Sequence, residues 1–487
     1  MLYRRSLVWS ILAVAAVSLA APLQAQFVYV TNFGSNDVSA YSIGTTGTLT
    51  PVPGSPFAAG ANPVSAAVDP SGKFLYVANG SELCPACPGA NTVSAYTIGA
   101  TGALTPIAGS PFAAGAGPFS VAVDPTGRFV YVANQFSANV SAYSINAATG
   151  ALTPISGSPF VAGTNPFSVV VHPTGKFLYV VNIVSDNVSA YSINAATGAL
   201  TPISGSPFGA GHESALAAVS PSGLFYWVPN FSDNNIQSYS VNVTTGALTS
   251  LGVTTSSGSG PTSVAVDPTG SFVYVTDQFS GDVSAYLGAA GLLVANGSPA
   301  TGAPATRFSA VDPSGRFLYT SNFTLSGTVT AYSIGATGTL TLIGTVSAGS
   351  LPASVAITPK APACPLGQGF WKNHPEDWPV TTLTIGGTAY TEAQLATVLN
   401  TKSKGDAVLI LTRALIAAEL NIANGSNGSS VTAVIADANS LLAGINLLAP
   451  TDVDTNTVLG QKMVADAAIL ESFNEGNLTT NCTAKDN

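Results

Sequence analysis

Positive charge is scarce in this chain. Its 487 residues carry 14 Lys and Arg against 23 Asp and Glu, for a net charge of −9. Between Phe27 and Ala363 the cations are Lys73, Arg128, Lys176, Arg307, Arg316 and Lys360 alone. Nucleic acid and anionic lipid are excluded as partners, because phosphate binding needs clustered Lys and Arg. Surface polarity must come from Ser, Thr, Asn and Gly, which suits a small neutral ligand, a glycan or a protein partner. Long apolar runs are also missing after residue 25, so no membrane span is expected. The stretch 407–423 is interrupted by Arg413 and Glu419 and reads as a buried helix. Asp37, Asp186, Asp233 and Asp282 lie scattered, without the close oxygen spacing of a calcium loop. Neither a metal nor a cofactor is expected.

The first 25 residues stand apart. Arg4 and Arg5 precede an apolar run, Leu7 to Ala21, and Leu23-Gln24-Ala25 offers a small-residue cleavage site. That is the pattern of a secretory signal peptide, with the mature chain beginning near Gln26. The expected location is secreted, periplasmic or on the cell envelope. In an exported chain the four cysteines, Cys84, Cys87, Cys364 and Cys482, favour disulfides, with three possible pairings.

What the chain has in abundance is repetition. FVYVTN at Phe27 returns as FLYVAN (Phe74), FVYVAN (Phe129), FLYVVN (Phe177), FYWVPN (Phe225), FVYVTD (Phe272) and FLYTSN (Phe317), at spacings of 47, 55, 48, 48, 47 and 45 residues. Each copy continues with an alternating strand such as NVSAYSI, a turn such as NAATGAL, a short strand LTPI and a Gly/Pro loop GSPFxAG. It ends on an apolar strand such as SVAVDP and a turn PTG. Four short strands of period 2 per unit read as antiparallel meanders. A sheet with two apolar faces buries both only by stacking against copies of itself. Seven units therefore predict a seven-bladed β-propeller over residues 26–359, with the SVAVDP strands innermost. The chain enters on the second strand of a blade, and the last inner strand, Ala353 to Ile357, comes at the end. The two ends should share one blade, which removes the open edges of a solenoid.

The pattern PxSVAVDPxGRFxYVANxxSxxVSAYSIxxxTGALT resembles bacterial YVTN-type propellers and the seven-bladed lactonase-like family that includes 6-phosphogluconolactonases. The resemblance covers Phe27 to Pro359. It implies the propeller fold and, should the chain be an enzyme, a lactone hydrolase. The matching residues build blades, so function must be argued from a site.

Loops entering the inner strands and loops between second and third strands should share one face, and the channel mouth there is the default binding site. Compared with one another, the pairs before the inner strands are Asn62-Pro63, Gly117-Pro118, Asn165-Pro166, His212-Glu213, Gly260-Pro261, Thr306-Arg307 and Leu351-Pro352. Two depart from the pattern, two blades apart, and could face each other across the mouth. Three readings stay open for His212, Glu213 and Arg307. They are a catalytic set in which imidazole takes a proton from water, carboxylate orients it and guanidinium holds an oxyanion; a ligand site without turnover, with Asp277 and Asn230; or degenerate loops with local salt bridges. His172 replaces the usual Asp of the opposite turn and should make that turn's hydrogen bond.

Blade 2 is longer by eight residues, GSELCPACPGAN. Cys84-x-x-Cys87 is open to a zinc half-site, a redox pair or a local disulfide. No further ligands lie near and no thioredoxin-like pattern surrounds it, so the context favours the disulfide. After a linker at 360–363 the periodicity becomes helical, with helices expected over 391–400, 406–424, 430–445 and 457–475. This small all-α domain, 364–487, is expected to be closed by Cys364 and Cys482. Its opening GFWKNHPEDWP resembles a motif in a small C-terminal module of bacterial secreted proteins. Trp371, His374 and Trp378 could form a recognition patch or a plug under the helices, the latter being commoner for Trp near a disulfide. The leading functional expectation is an exported binding or scaffold protein for a neutral ligand, glycan or protein. The alternative is a hydrolase of a sugar or acyl lactone.

Overall fold

The computed structural model describes residues 26–478 apart from 81–89, 257, 303, 360–364, 376–377 and 450–452. The leader and all four cysteines lie outside the described residues, and with them the expected disulfides.

The alternation in the FVYVAN strand is buried on both sides. Val130 and Val132 pack into one cluster, while Phe129, Tyr131 and Ala133 pack into the next. Such a strand needs a neighbouring sheet on each face, and a ring of blades supplies both. Seven blades result. In blade 3 the inner strand Pro118–Val123, second strand Phe129–Asn134, third strand Asn139–Ile145 and outer strand Leu152–Pro154 form an antiparallel meander. The segment read from the sequence as a Gly/Pro loop stays with the sheet. It returns as Phe160–Val161, which pairs with the start of the third strand. Blades 5 and 7 lack the loop's Ser-Pro-Phe and run one unbroken outer strand instead, Leu248–Thr255 and Leu340–Ser347.

Blade 1 is made from both ends of the repeat array. Phe27–Asn32 pairs with Pro352–Ile357, with Val28 opposite Ile357 and Val30 opposite Val355. Adjacent inner strands are stitched by the recurrent serine: the Ser65 hydroxyl accepts from Val121 N at 3.2 Å, and Ser120 accepts from Val169 N at 3.1 Å.

The second unit of the chain begins after the propeller and has its own core. Its helices are α1 (Gln368–Asn373), α2 (Glu392–Asn400), α3 (Ala407–Ala423), α4 (Thr432–Leu441) and α5 (Val458–Asn474). A two-stranded hairpin, Thr382–Ile385 with Thr388–Thr391, precedes α2 and was not legible beforehand. α3 buries twelve of its 17 residues, with Arg413 and Glu419 only partly covered, which makes it the central core helix. The Trp371 ring is buried, and its Nε1–H donates to Asn421 Oδ1 at 3.0 Å. Trp378 donates to the Trp371 carbonyl at 2.8 Å, so these tryptophans plug the core. Among the described residues no helix is long and apolar enough to cross a membrane.

Candidate functional site

Backbone conformation fixes the alignment of the seven mouth loops. One residue before each inner strand has positive φ: Asn62, Gly117, Asn165, Glu213, Gly260, Ala305 and Leu351. The residue after it pairs with the end of the second strand, as in Pro63 with Asn79, Ser214 with Asn230 and Thr306 with Asn322. The expected pairing of loops is therefore corrected by one position in both odd blades. Glu213, not His212, is the counterpart of Asn62. Arg307 is the counterpart of Val64 and Phe119, one step inside the inner strand. Neither blade has the proline that anchored the sequence comparison.

His212 sits in a charged version of a contact that other blades make with neutral groups. Ala116 N donates to Ser137 Oγ at 2.7 Å, Thr164 N to Ser185 Oγ at 3.0 Å and Ser259 N to Ser280 Oγ at 2.9 Å. At the same place His212 N donates to Asp233 Oδ2 at 2.8 Å. From the preceding blade, Asn36, Asn91 and Asn234 accept the next backbone N–H in their copies, and Asp186 does so for Glu213 N at 3.2 Å. The imidazole thus stands between two carboxylates. Its Nδ1 is 3.1 Å from Asp233 Oδ1 and its Nε2 4.0 Å from Asp186 Oδ2, while the side chain stays 74% exposed. The hydrogen bond to Asp233 and then the charges of Asp233 and Asp186 raise the His212 pKa above its usual value. The His212 backbone N–H in turn holds the Asp233 carboxyl below the usual range. Ser232 Oγ donates to the Glu213 carboxylate. Asp186 and Asp233 were not among the expected site residues. Their signal was the repeat offset, 21 residues for the Ser contact and 26 or 27 for the Asn contact.

Arg307 lies elsewhere in the same mouth. Its guanidinium carbon is 4.4 Å above the Phe323 ring and 5.8 Å from the Phe119 ring, which stacks on Phe167 at 3.9 Å. Arg307 and His212 share no hydrogen bond or ion pair, so the expected three-residue set is not brought into contact. Two blades replace the stitching serine with Leu216 and Phe308. With Arg307, Phe119 and Val64 these line a cavity of about 10 Å³ between the inner strands, room for one water at most. A groove of about 300 Å³ is lined by Val161, Tyr191 and Pro207 among others, and the Tyr191 hydroxyl there donates to the Val161 carbonyl.

Asn230 and Asp277, expected as ligand contacts, are completely buried. Asn230 Nδ2 donates to Asn235 Oδ1 and its Oδ1 accepts from Ser214. Asp277 accepts from Ser256 and Ser284, each at 2.6 Å. Both are held at strand ends by these bonds. Burial pushes the Asp277 carboxyl up to about 6. His172 is buried in its turn, with Nδ1 accepting from Thr174 N and Nε2–H donating to the Gly223 carbonyl. Among the described residues no group of His, Cys, Asp or Glu is arranged to hold a metal ion.

Comparison with known proteins bears on this site. The family model described as a seven-bladed β-propeller lactonase matches residues 24–170 and 158–289. No curated protein matches the chain. Among solved structures, a Lactobacillus plantarum protein is similar at 22% identity and a TM-score of 0.59, covering 69% of this chain and 99% of its own. A putative 6-phosphogluconolactonase from Bacteroides uniformis is similar at 18% identity and a TM-score of 0.59, covering 69% and 99%. A periplasmic gluconolactonase of Pseudomonas aeruginosa gives the same identity, 18%, the same TM-score, 0.59, and the same coverages, 69% and 99%. At these identities the structural matches carry the fold alone.

Proposed function

This chain belongs to the seven-bladed β-propeller lactonase family, and from that premise we propose that it hydrolyses a lactone at the propeller mouth, with His212 as the base. The observation that carries the reading is the exposed imidazole held on Nδ1 by Asp233 and faced on Nε2 by Asp186. An imidazole whose Nδ1–H is fixed by a carboxylate presents a free Nε2 lone pair to water. Nε2 takes the proton, the water oxygen attacks the lactone carbonyl, and an oxyanion forms. Collapse breaks the ring C–O bond, and the imidazolium returns its proton to the leaving alkoxide. The product is a hydroxy acid. Arg307, on the floor of the same mouth, is assigned to the charge that develops on the carbonyl oxygen and remains on the product carboxylate. Glu213, tied to Ser232, holds the loop's left-handed turn rather than the imidazole.

Family membership favours this reading over the binding or scaffold one. The leader pattern supports an exported enzyme, and the related Pseudomonas aeruginosa protein is named a periplasmic gluconolactonase.

Hydrolysis of sugar and alkyl lactones by the purified chain tests the proposal. His212→Ala should lower kcat/KM at least a hundredfold, the scale of a lost general base. Because the His212 pKa is raised, activity should climb with pH through a midpoint above the usual histidine value. Asp233→Asn should bring that midpoint down. No turnover with any lactone, or turnover indifferent to His212→Ala, sinks the catalytic assignment and returns the mouth to ligand binding.

A further inference from the structure

Beside the charged loop lies an apolar shelf that the hydrolytic steps above leave unused. Phe231 follows the buried Asn230, and its backbone N–H donates to the Glu213 carbonyl at 3.2 Å. Its ring meets that of Phe279 from the next blade, with centroids 4.9 Å apart at 56°. Both rings cover Gly260, where a Cβ would stand 2.8 Å from Phe279 and 3.1 Å from Phe231. Gly260 is the counterpart of Glu213, so the shelf lies at the foot of the next inner strand, one loop from His212. Phe279 is 70% exposed. A single exposed phenyl needs no explanation, but two joined rings beside a histidine and three carboxylates mark a place for an apolar group.

Charge narrows what that group can be. Asp186, Glu213 and Asp233 ring the histidine. Arg307 is the one described Lys or Arg of the propeller in this mouth; Lys73, Arg128, Lys176 and Arg316 belong to turns of the opposite face. There Lys73, Arg128 and Arg316 give their backbone N–H to the turn aspartates, and Arg128 and Arg316 reach the next blade's turn carbonyls. A phosphorylated substrate would meet three carboxylates at the loop without a cation cluster to offset them.

We infer that the substrate is an uncharged lactone bearing an apolar alkyl substituent, which lies on Phe231 and Phe279 while its carbonyl faces His212. This inference rests on the hydrolase reading and specifies its substrate. The same bonds break and form as above, and the substituent takes no part in them.

The test is a chain-length series with the full chain: γ-butyrolactone, γ-octalactone and γ-decalactone, with 6-phosphogluconolactone alongside. Burial of a methylene is worth roughly two- to fourfold in binding where the group is covered on one or both sides. The expected result is kcat/KM rising by about that factor per methylene, with 6-phosphogluconolactone the poorest substrate. Phe279→Ser should cut the decalactone value about tenfold more than the butyrolactone value. A second readout needs no turnover: calorimetric binding of γ-decanolactam, which keeps the ring and tail but resists hydrolysis, against butyrolactam. Tail-dependent lactam binding without hydrolysis upholds the shelf and removes the hydrolase reading. Hydrolysis with equal kcat/KM along the series, or a preference for the phosphorylated lactone, overturns the shelf and leaves the hydrolase standing. Neither hydrolysis nor tail-dependent binding overturns both.

Discussion

A carboxylate stands in blade 6 where six other blades carry an amide. Asn32 Nδ2 donates to Asp37 Oδ1 and to Ser39 Oγ, and Asn134 and Asn182 make the same pair of bonds to Asn and Ser. Blade 6 keeps the aspartate partner, Asp282, but opposes it with Asp277, so a donor becomes a second acid. Burial, with the charge of Asp282 adding to it, raises the Asp277 pKa from 3.8 to about 6 against the Ser256 and Ser284 hydrogen bonds that lower it. The sign follows from linkage. A carboxyl whose folded pKa lies above its unfolded value contributes stability that is complete below about pH 4. That contribution is lost as pH rises through about 6. A shift of this size corresponds to about 3 kcal/mol at full ionisation. Asp277→Asn should therefore raise unfolding stability at pH 8 by up to that amount, because the amide can donate to Asp282 and Ser284 as Asn32 does. The gain should vanish at pH 4. Thermal unfolding of both proteins across that range checks it, and a gain of equal size at both pH values would show that ionisation of Asp277 is not the cause.

At the scale of the element, the turn into the second strand shows how a repeat can lose a part. In blade 3 Asp124 Oδ1 accepts from Arg128 N and Phe129 N, both at 2.7 Å, and Oδ2 accepts from Thr126 N at 3.1 Å. Asp69 and Asp312 do the same in their blades, and Asp267 accepts from Thr269 N and Phe272 N. Blade 5 has Ser220, whose hydroxyl accepts only Phe225 N among these, at 3.1 Å. Ser220→Asp should restore the missing acceptors and stabilise the chain by about 1 kcal/mol, the net worth of a hydrogen bond or two. Denaturant unfolding reads this, and a destabilised variant would mean that blade 5 has closed around the smaller side chain. These turns were legible because Asp-Pro-Thr-Gly has a local mechanism. The strands were legible because period 2 recurs seven times. The return strand Phe160–Val161 was not, since two residues carry no periodicity. The two carboxylates flanking His212 were not, because they arrive from other loops and only the inter-blade contacts bring them there. Arg307 slipped by one position because blade 7 marks its left-handed residue with Ala305, where four other blades signal it with Asn or Gly before proline.

The whole ring is held by one contact used seven times. Each second strand sends a donor to the glycine carbonyl of the following blade's outer turn: Tyr29 to Gly102, Tyr76 to Gly150, Tyr131 to Gly198, Tyr179 to Gly246, Trp227 to Gly291, Tyr274 to Gly338 and Tyr319 to Gly47, all between 2.8 and 3.0 Å. The phenylalanine two residues earlier covers the same glycine. A Cβ on Gly47 would stand 2.4 Å from the Phe317 ring, and one on Gly198 would stand 2.4 Å from Phe129. Both glycines have positive φ, 83° at Gly47 and 74° at Gly198, so alanine is strained there twice over. Gly198 lies between consecutive blades, whereas Gly47 lies at the seam where blade 7 meets blade 1. In a closed ring every interface unfolds with the rest, so Gly47→Ala and Gly198→Ala should each cost about 3 kcal/mol or more, in one transition. Gly209→Ala, where no atom lies within 4 Å of the new methyl, is the control and should change stability by less than about 0.5 kcal/mol. A seam that opened by itself would give a different pattern. Gly47→Ala would then release blades 1 and 7 in an early step while the remaining blades melted as before, and closure by the shared first blade would be a property of the strands and not of the ring's stability.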